Sequence, residues 1–251
     1  MADRWIVTPQ FFESPEPTLA AVAPASAQIN RVEMAHRSPP ELAILHGGIA
    51  AFVEEAVRDG NRPVSLAGDC CAAVPVTAGL QRAGLTPSLV WIDAHGDFNT
   101  PETSPSQFLG GMPLAMLVGR GPQWMLEGVG CRPIDEAEVM LVDARDLDPL
   151  EAAAVAESRL THVGLGEIAD FAFDGAVHLH LDLDVIDAAD CPAFRYPVAG
   201  GPALDDVVMA LGAFAARAPI VAVSISGWTG ALDRDGRTAE GAKRCLDAIL
   251  A

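Results

Sequence analysis

Leu89-Val90-Trp91-Ile92-Asp93-Ala94-His95-Gly96-Asp97 and His178-Leu179-His180-Leu181-Asp182-Leu183-Asp184 decide how this chain folds. Each opens as a short β-prone apolar run and closes in acids. Comparable runs occur at 63–66, 139–143 and 220–225, so that strands are expected at 63–66, 89–93, 139–143, 178–184 and 220–225. Helical patterns lie between several of them, at 41–58, 72–83, 204–217 and 239–250. Strands alternating with helices imply an α/β fold, a three-layer αβα sandwich around a mostly parallel, doubly wound sheet. The stretches 99–107 and 184–201 directly follow strands, and such folds place their sites in loops at the carboxyl ends of strands.

At 251 residues the chain is long enough for one sizeable core. No repeat or linker divides it, so residues 1–251 are expected to form a single domain. The net charge of −18 argues against nucleic acid or an anionic membrane, both of which need a positive field, and suits metal cations instead. The odd set Cys70, Cys71, Cys131, Cys191 and Cys245, without paired CxxC spacing, is expected to be reduced. The N-terminus carries no basic start or continuous apolar signal core, and no run reaches the roughly 18 uncharged apolar residues of a membrane span. A cytoplasmic location is the expectation.

The chemistry lies in the acids. Asp93, His95 and Asp97 alternate at a strand end, where alternate side chains project together. Two carboxylates and an imidazole suit Mn²⁺ or a similar divalent ion, and the lack of Cys/His pairs disfavours a structural zinc site. Asp182 and Asp184, two residues apart at the end of another buried run, need a counter-charge, because burying unpaired carboxylates is costly. The neighbouring sequence offers no Arg or Lys, so cations are the economical answer.

In this order, Asp-Ala-His-x-Asp and Asp-x-Asp-x-x-Asp resemble the two metal signatures of the arginase (ureohydrolase) family. The likeness extends to Asp97-Phe98-Asn99-Thr100-Pro101, Thr103 and Ser106, running into Gly111-Met112-Pro113-Leu114, which is similar to the family's substrate loop. Arg145-Asp146-Leu147-Asp148-Pro149 with Glu151 resembles its second substrate segment, and 197–201 its glycine turn. The likeness covers about residues 60–227.

The resemblance implies two divalent cations, Mn²⁺ above all, that ionise a shared water near neutral pH to supply the hydroxide that attacks a guanidino carbon. Asp93 and Asp182 would bridge both ions, Asp97 would bind one, and His95 and Asp184 the other. Asp97 and His95 are the central catalytic candidates. Asp187 joins them as a residue that orients ligands or caps its turn. Asn99 and Ser106 match positions that hold an α-carboxylate, and Asp148 and Glu151 positions near an α-amino group, which favours a guanidino amino acid over a decarboxylated amine. As turn and cap formers, Asn99, Ser106 and Asp148 also have a purely structural explanation. Homo-oligomers, trimers or hexamers, are implied as well.

Three departures qualify this picture. Ala67-Gly68-Asp69-Cys70-Cys71 stands where the family usually reads Gly-Gly-Asp-His-Ser, so Cys70 takes the place of a metal-binding histidine. A thiolate is softer and shifts preference toward Zn²⁺ or Fe²⁺. Gly110 replaces a proton-shuttling loop histidine, and Gly227 a glutamate that pairs the guanidinium. An N-hydroxyguanidino group is less basic and needs no such partner, so N-hydroxyarginine is the expected substrate in preference to arginine. A metal-binding pseudoenzyme or partner subunit, and a formimino-type amidohydrolase, stay open as alternatives. His36, His46, His162 and His178 have no ligand spacing with the core set and are read as structural or exposed.

Overall fold

The computed structural model describes residues 1–31 and 38–251; His36 lies outside the described residues. In chain order the strands are β1 (Asp3–Thr8), β2 (Gln10–Phe11), β3 (Ser14–Pro15), β4 (Gln28–Ile29), β5 (Arg62–Ala67), β6 (Ser88–His95), β7 (Val139–Asp146), β8 (Thr161–Val163), β9 (Val177–Asp182) and β10 (Ile220–Ser226). The helices are α1 (Pro39–Arg58), α2 (Ala73–Arg82), α3 (Pro113–Leu117), α4 (Trp124–Val129), α5 (Pro149–Glu157), α6 (Leu204–Ala215) and α7 (Arg237–Leu250).

Eight strands form one sheet in the order β4-β1-β5-β10-β9-β6-β7-β8, and every pairing in it is parallel. Parallel neighbours need crossovers, and helices supply them on both faces. Helix α1 packs on α2 and α4, while α6 packs on α7, giving the αβα sandwich. The central strands are covered on both sides, and all six residues of β9 are buried. Leu89, Trp91, Ile92, Leu179 and Leu181 are fully buried, each worth about 1.5–3 kcal/mol of transfer free energy.

Because the strands run in one direction, β5, β10, β9, β6 and β7 deliver their carboxyl ends to the same edge as immediate neighbours. That edge carries the acids. One expectation changes here: the run 178–184 is not extended throughout. Strand β9 stops at Asp182, whose Oδ1 accepts the Asp184 N–H at 2.9 Å and folds Leu183–Val185 into a 3₁₀ turn. A short acid that bonds the backbone two residues on competes with the sheet ladder, and here it wins. Similarly, β6 runs on to His95, and Asp97 follows in a left-handed conformation at φ 49°. Strand β1, the two edge strands β4 and β8, the hairpin β2–β3 and the helices α3, α4 and α5 are elements beyond those read from the sequence. No helix is long and apolar enough to cross a membrane, among the described residues.

Candidate metal centre

Five strand ends build the floor of one cavity of about 390 Å³. After β5, the Asp69 carboxylate accepts N–H groups from Cys71 at 3.1 Å and from Phe12 at 3.0 Å, holding the turn that presents Cys70. The Cys70 thiol donates to Asp182 Oδ2 at 2.8 Å, lies 3.1 Å from Ser226 Oγ, and is 3.9 Å from Asp93 Oδ2. Asp93 accepts from Trp91 Nε1 at 3.2 Å and from the His95 N–H at 2.7 Å. His95 Nδ1 stands 3.1 Å from Asp184 and 3.4 Å from Asp93.

Two ligand sets emerge, Cys70–Asp93–Asp97 and Asp93–His95–Asp184, each with its donor atoms within 4.8 Å of one another. They share Asp93. Asp182 joins through its bond to Cys70, so the six residues expected to hold metal lie together, four of them carboxylates at most 5% exposed. Among the described residues, His95 is the cationic side chain in ion-pair range of them.

The electrostatics are those of too much negative charge in too little water. Burial, then Asp93, raises Asp97 well above the usual carboxylate range, and burial, then Asp182, does so for Asp184. Asp182 is carried up to about 6 by burial and Asp93. Burial and the Asp182 charge push the Cys70 thiol up as well. Burial acts to lower His95, but hydrogen bonds to Asp184 and Asp93 take it to about 12. Asp97 Oδ2 is buried without any hydrogen-bond partner. An orphan carboxylate oxygen beside three other acids fits a divalent cation, and the mixed oxygen, nitrogen and sulfur donors fit a borderline one.

Above the floor, the stretch after β6 and the start of α5 form a rim. Asn99 Nδ2 donates to Asp148 Oδ2 at 3.0 Å, and Asn99 Oδ1 accepts from Thr103 at 2.8 Å. Ser106 Oγ accepts the Phe108 N–H at 3.2 Å. Glu151, buried and pushed by that burial to about 7, accepts the N–H groups of Phe98 at 2.8 Å and Asp148 at 3.1 Å. Asn99, Ser106, Asp148 and Glu151 all line the cavity. Asp187 lies outside its lining, and Oδ1 of that residue accepts the Ala189 N–H at 2.8 Å. Arg145 ties β7 to the loop after β9, donating to the carbonyls of Asp184, Val185, Val198 and Ala199.

The cavity also takes in residues that sequence reasoning missed: Phe11, Ser104, Phe108, Arg195 and Tyr196. Phe11 comes from a two-residue strand with no motif. Arg195 had one usable signal, as the sole cation in the loop 184–201. Two of the three departures, Gly110 and Gly227, are also structural. A Cβ on Gly110 would meet the Phe108 ring, and one on Gly227, at φ 84°, would meet the Asp182 carboxylate.

The sequence model described as "Arginase family" matches residues 19–251. This chain belongs to the arginase family. The match is wider than the stretch 60–227 in which the motifs lie. Among curated relatives, the family member from Bacillus subtilis (strain 168), an arginase, is 34% identical over 167 residues, 61% of this chain and 56% of its own length. An arginase from Bacillus caldovelox is 35% identical over 169 residues, with the same coverage. The aligned part thus spans little more than half of these arginases. Among solved structures, an arginase from Bacillus cereus superposes with a TM-score of 0.87 at 24% identity, covering 100% of this chain and 99% of that one. Formimidoylglutamase from Bacillus subtilis gives 0.77 at 15% identity, covering 99% and 86%. These two superpositions establish the shared fold.

Proposed function

We propose that this chain is a metal-dependent hydrolase of a C–N bond in a linear amidine, acting on a guanidino or N-hydroxyguanidino amino acid. The observation that carries the reading is the pair of ligand sets sharing Asp93, with a buried oxygen of Asp97 left unpartnered. Two divalent ions would be held by Cys70, Asp93, His95, Asp97, Asp182 and Asp184; Mn²⁺ is the family expectation, and the Cys70 sulfur favours Zn²⁺ or Fe²⁺ at its position. Bound there, such ions supply Lewis acidity that lowers the pKa of water and polarises the scissile carbon.

The chain's own residues prepare the rest. The buried floor excludes bulk water and leaves Asp97 a free acceptor oxygen. Asn99 and Ser106 would offer donors to the substrate's α-carboxylate, and Asp148, backed by Glu151, would accept from its α-amino group. Asp187 would cap its own turn rather than touch substrate, since its carboxylate is engaged with the Ala189 N–H and lies outside the cavity lining. A homo-oligomeric, cytoplasmic enzyme is the accompanying reading, with residues 1–251 as a single domain; a sheet that draws strands from 3 to 226 supports the single domain.

Gly227 favours the N-hydroxyguanidine. No side chain is present there to pair a guanidinium, and Asp182 occupies the space in which one would begin. Hydrolysis would give ornithine with hydroxyurea, or with urea from arginine. The test is elemental analysis combined with product detection for both substrates, with and without added Mn²⁺. Hydroxyurea formed faster than urea is the expected result. Arginine turned over equally well removes the N-hydroxy preference, formimino substrates alone turned over favour a formimino amidohydrolase, and metal bound without any turnover marks a pseudoenzyme.

A further inference from the structure

The rim holds a positive charge that the metal centre does not use. Eight carboxylate side chains line the cavity, and Arg195 is the one guanidinium among its described lining residues. An amino-acid substrate brings a carboxylate into that field, where it needs a cation to meet it.

Arg195 is built to stay in place. Its Nη2 donates to Glu16 Oε1 at 2.5 Å, and the Glu16 side chain is 2% exposed. Its guanidinium carbon lies over the Phe11 ring, 4.3 Å from the centroid, in cation–π contact. Phe11 stacks in turn on Phe108 at 6.3 Å, and Phe108 meets Tyr196 at 5.3 Å. Yet the Arg195 side chain keeps 34% of its surface, and the bond to Glu16 is its only side-chain hydrogen bond among the described residues. A guanidinium has five N–H donors in a planar fork that matches a carboxylate, so four remain for a ligand. Of the neutral rim donors, Asn99 Nδ2 already gives one of its N–H groups to Asp148, and neither it nor the Ser106 hydroxyl carries a positive charge.

We propose that Arg195 is a carboxylate-binding residue at the rim of the cavity, selecting amino-acid substrates over their decarboxylated counterparts. The inference rests on the amino-acid reading above for what the carboxylate belongs to. Held by a buried acid and an aromatic face, the fork loses little freedom on binding, which is where a preorganised site gains affinity.

The test is calorimetric titration of the metal-loaded protein with ornithine and with putrescine, which lacks the carboxylate. Wild type should bind ornithine more tightly. Arg195→Gln should weaken ornithine about 10- to 100-fold, as expected for a lost charge-assisted bond, and leave putrescine within about twofold. Because that change strands the Glu16 carboxylate, the paired variant Glu16→Gln/Arg195→Gln should reproduce the loss in a fold that keeps no buried charge there. Equal weakening of both ligands, no weakening, or a wild type that does not prefer ornithine overturns the proposal. Turnover separates the two readings: N-hydroxyarginine hydrolysed with unchanged KM in Arg195→Gln sinks this inference alone, whereas Arg195-dependent ornithine binding without turnover of any guanidino compound sinks the catalytic reading alone.

Discussion

Behind the acidic floor, inside the sheet, lies a second buried polar cluster built on the opposite principle. Thr77 Oγ1 is 3.1 Å from His178 Nδ1, and Ser224 Oγ is 2.8 Å from both His178 Nε2 and His180 Nδ1. Burial lowers His178 to about 3 and His180 well below its ordinary value, so both rings stay neutral. Hydroxyls and imidazoles can each donate and accept, and this cluster closes on itself without charge. The floor is equally dry but holds carboxylates that repel one another, with a buried oxygen left over. The two meet at Ser226, whose hydroxyl is 3.4 Å from His180 Nε2 and 3.3 Å from Asp182 Oδ2. A buried polar group that is satisfied marks scaffold; one left with unmet charge marks a site that awaits a ligand.

The largest effect should come from supplying the missing charge. Mn²⁺ at a thousandfold excess over its Kd should stabilise the protein by about 4 kcal/mol, read as a shift in the denaturation midpoint. Asp97→Asn should abolish most of that gain while stabilising the metal-free protein by about 1–3 kcal/mol, since it removes a buried, repelled charge. A metal-free variant less stable than wild type would dissolve the contrast between the clusters.

Scaffold should behave the other way round. His178→Ala leaves Thr77 without this partner, takes one of two imidazoles from Ser224 and opens a cavity, so unfolding free energy should fall by about 3 kcal/mol. Metal affinity, measured on the folded variant, should stay within about twofold; a larger drop would mean the two clusters act as one.

Gly227 tests whether the departure from the family pattern is compensated. Gly227→Glu supplies the acid that the family resemblance leads one to expect there, but its Cβ meets Asp182 at a left-handed backbone position. A loss of about 2 kcal/mol, weaker metal binding and no gain in arginine hydrolysis are expected. Improved arginine turnover would show that the floor can shift to make room.

The smallest effect is in pH dependence. His46 is buried, and burial lowers it from 6.5 to about 4. The unfolded chain therefore takes up a proton that the native state refuses: stability is complete above pH 6.5 and falls as pH drops toward about 4. Asp182, raised to about 6, has the opposite sign in the metal-free protein, losing stability as pH rises through that value. Between pH 7 and 5.5, His46→Leu should remove about 1 kcal/mol of the wild-type slope in urea titrations. An unchanged slope would mean that the imidazole finds a proton acceptor in the native state.

Much of the floor was legible because its signals are local. Asp93, His95 and Asp97 sit at the end of an apolar run, and Asp182 and Asp184 end another; strand periodicity and the cost of buried charge suffice to flag them. The rim was legible only through the family likeness, and its hydrogen bonds are more committed to each other than residue types alone suggest. Asn99 answers to Asp148, and Glu151 to two backbone N–H groups. Arg195, Phe11 and Tyr196 carried no motif, because an aromatic–guanidinium contact needs no particular spacing.

By itself, the amino-acid sequence determined the alternation of strands and helices, the strand ends that carry acids, and membership of the arginase family. The first two follow from periodicity and local residue chemistry, the last from the motif resemblance and the family match over residues 19–251. Only the tertiary structure decided that the Cys70 thiol reaches Asp182 across 112 residues, that Asp182 ends its strand by bonding Asp184, that a Cβ at Gly227 would meet the Asp182 carboxylate, and that Glu16 fixes Arg195 at the rim. Such contacts depend on which strands become neighbours and how the loops between them close, and a pattern read along one segment carries no information about distances to another.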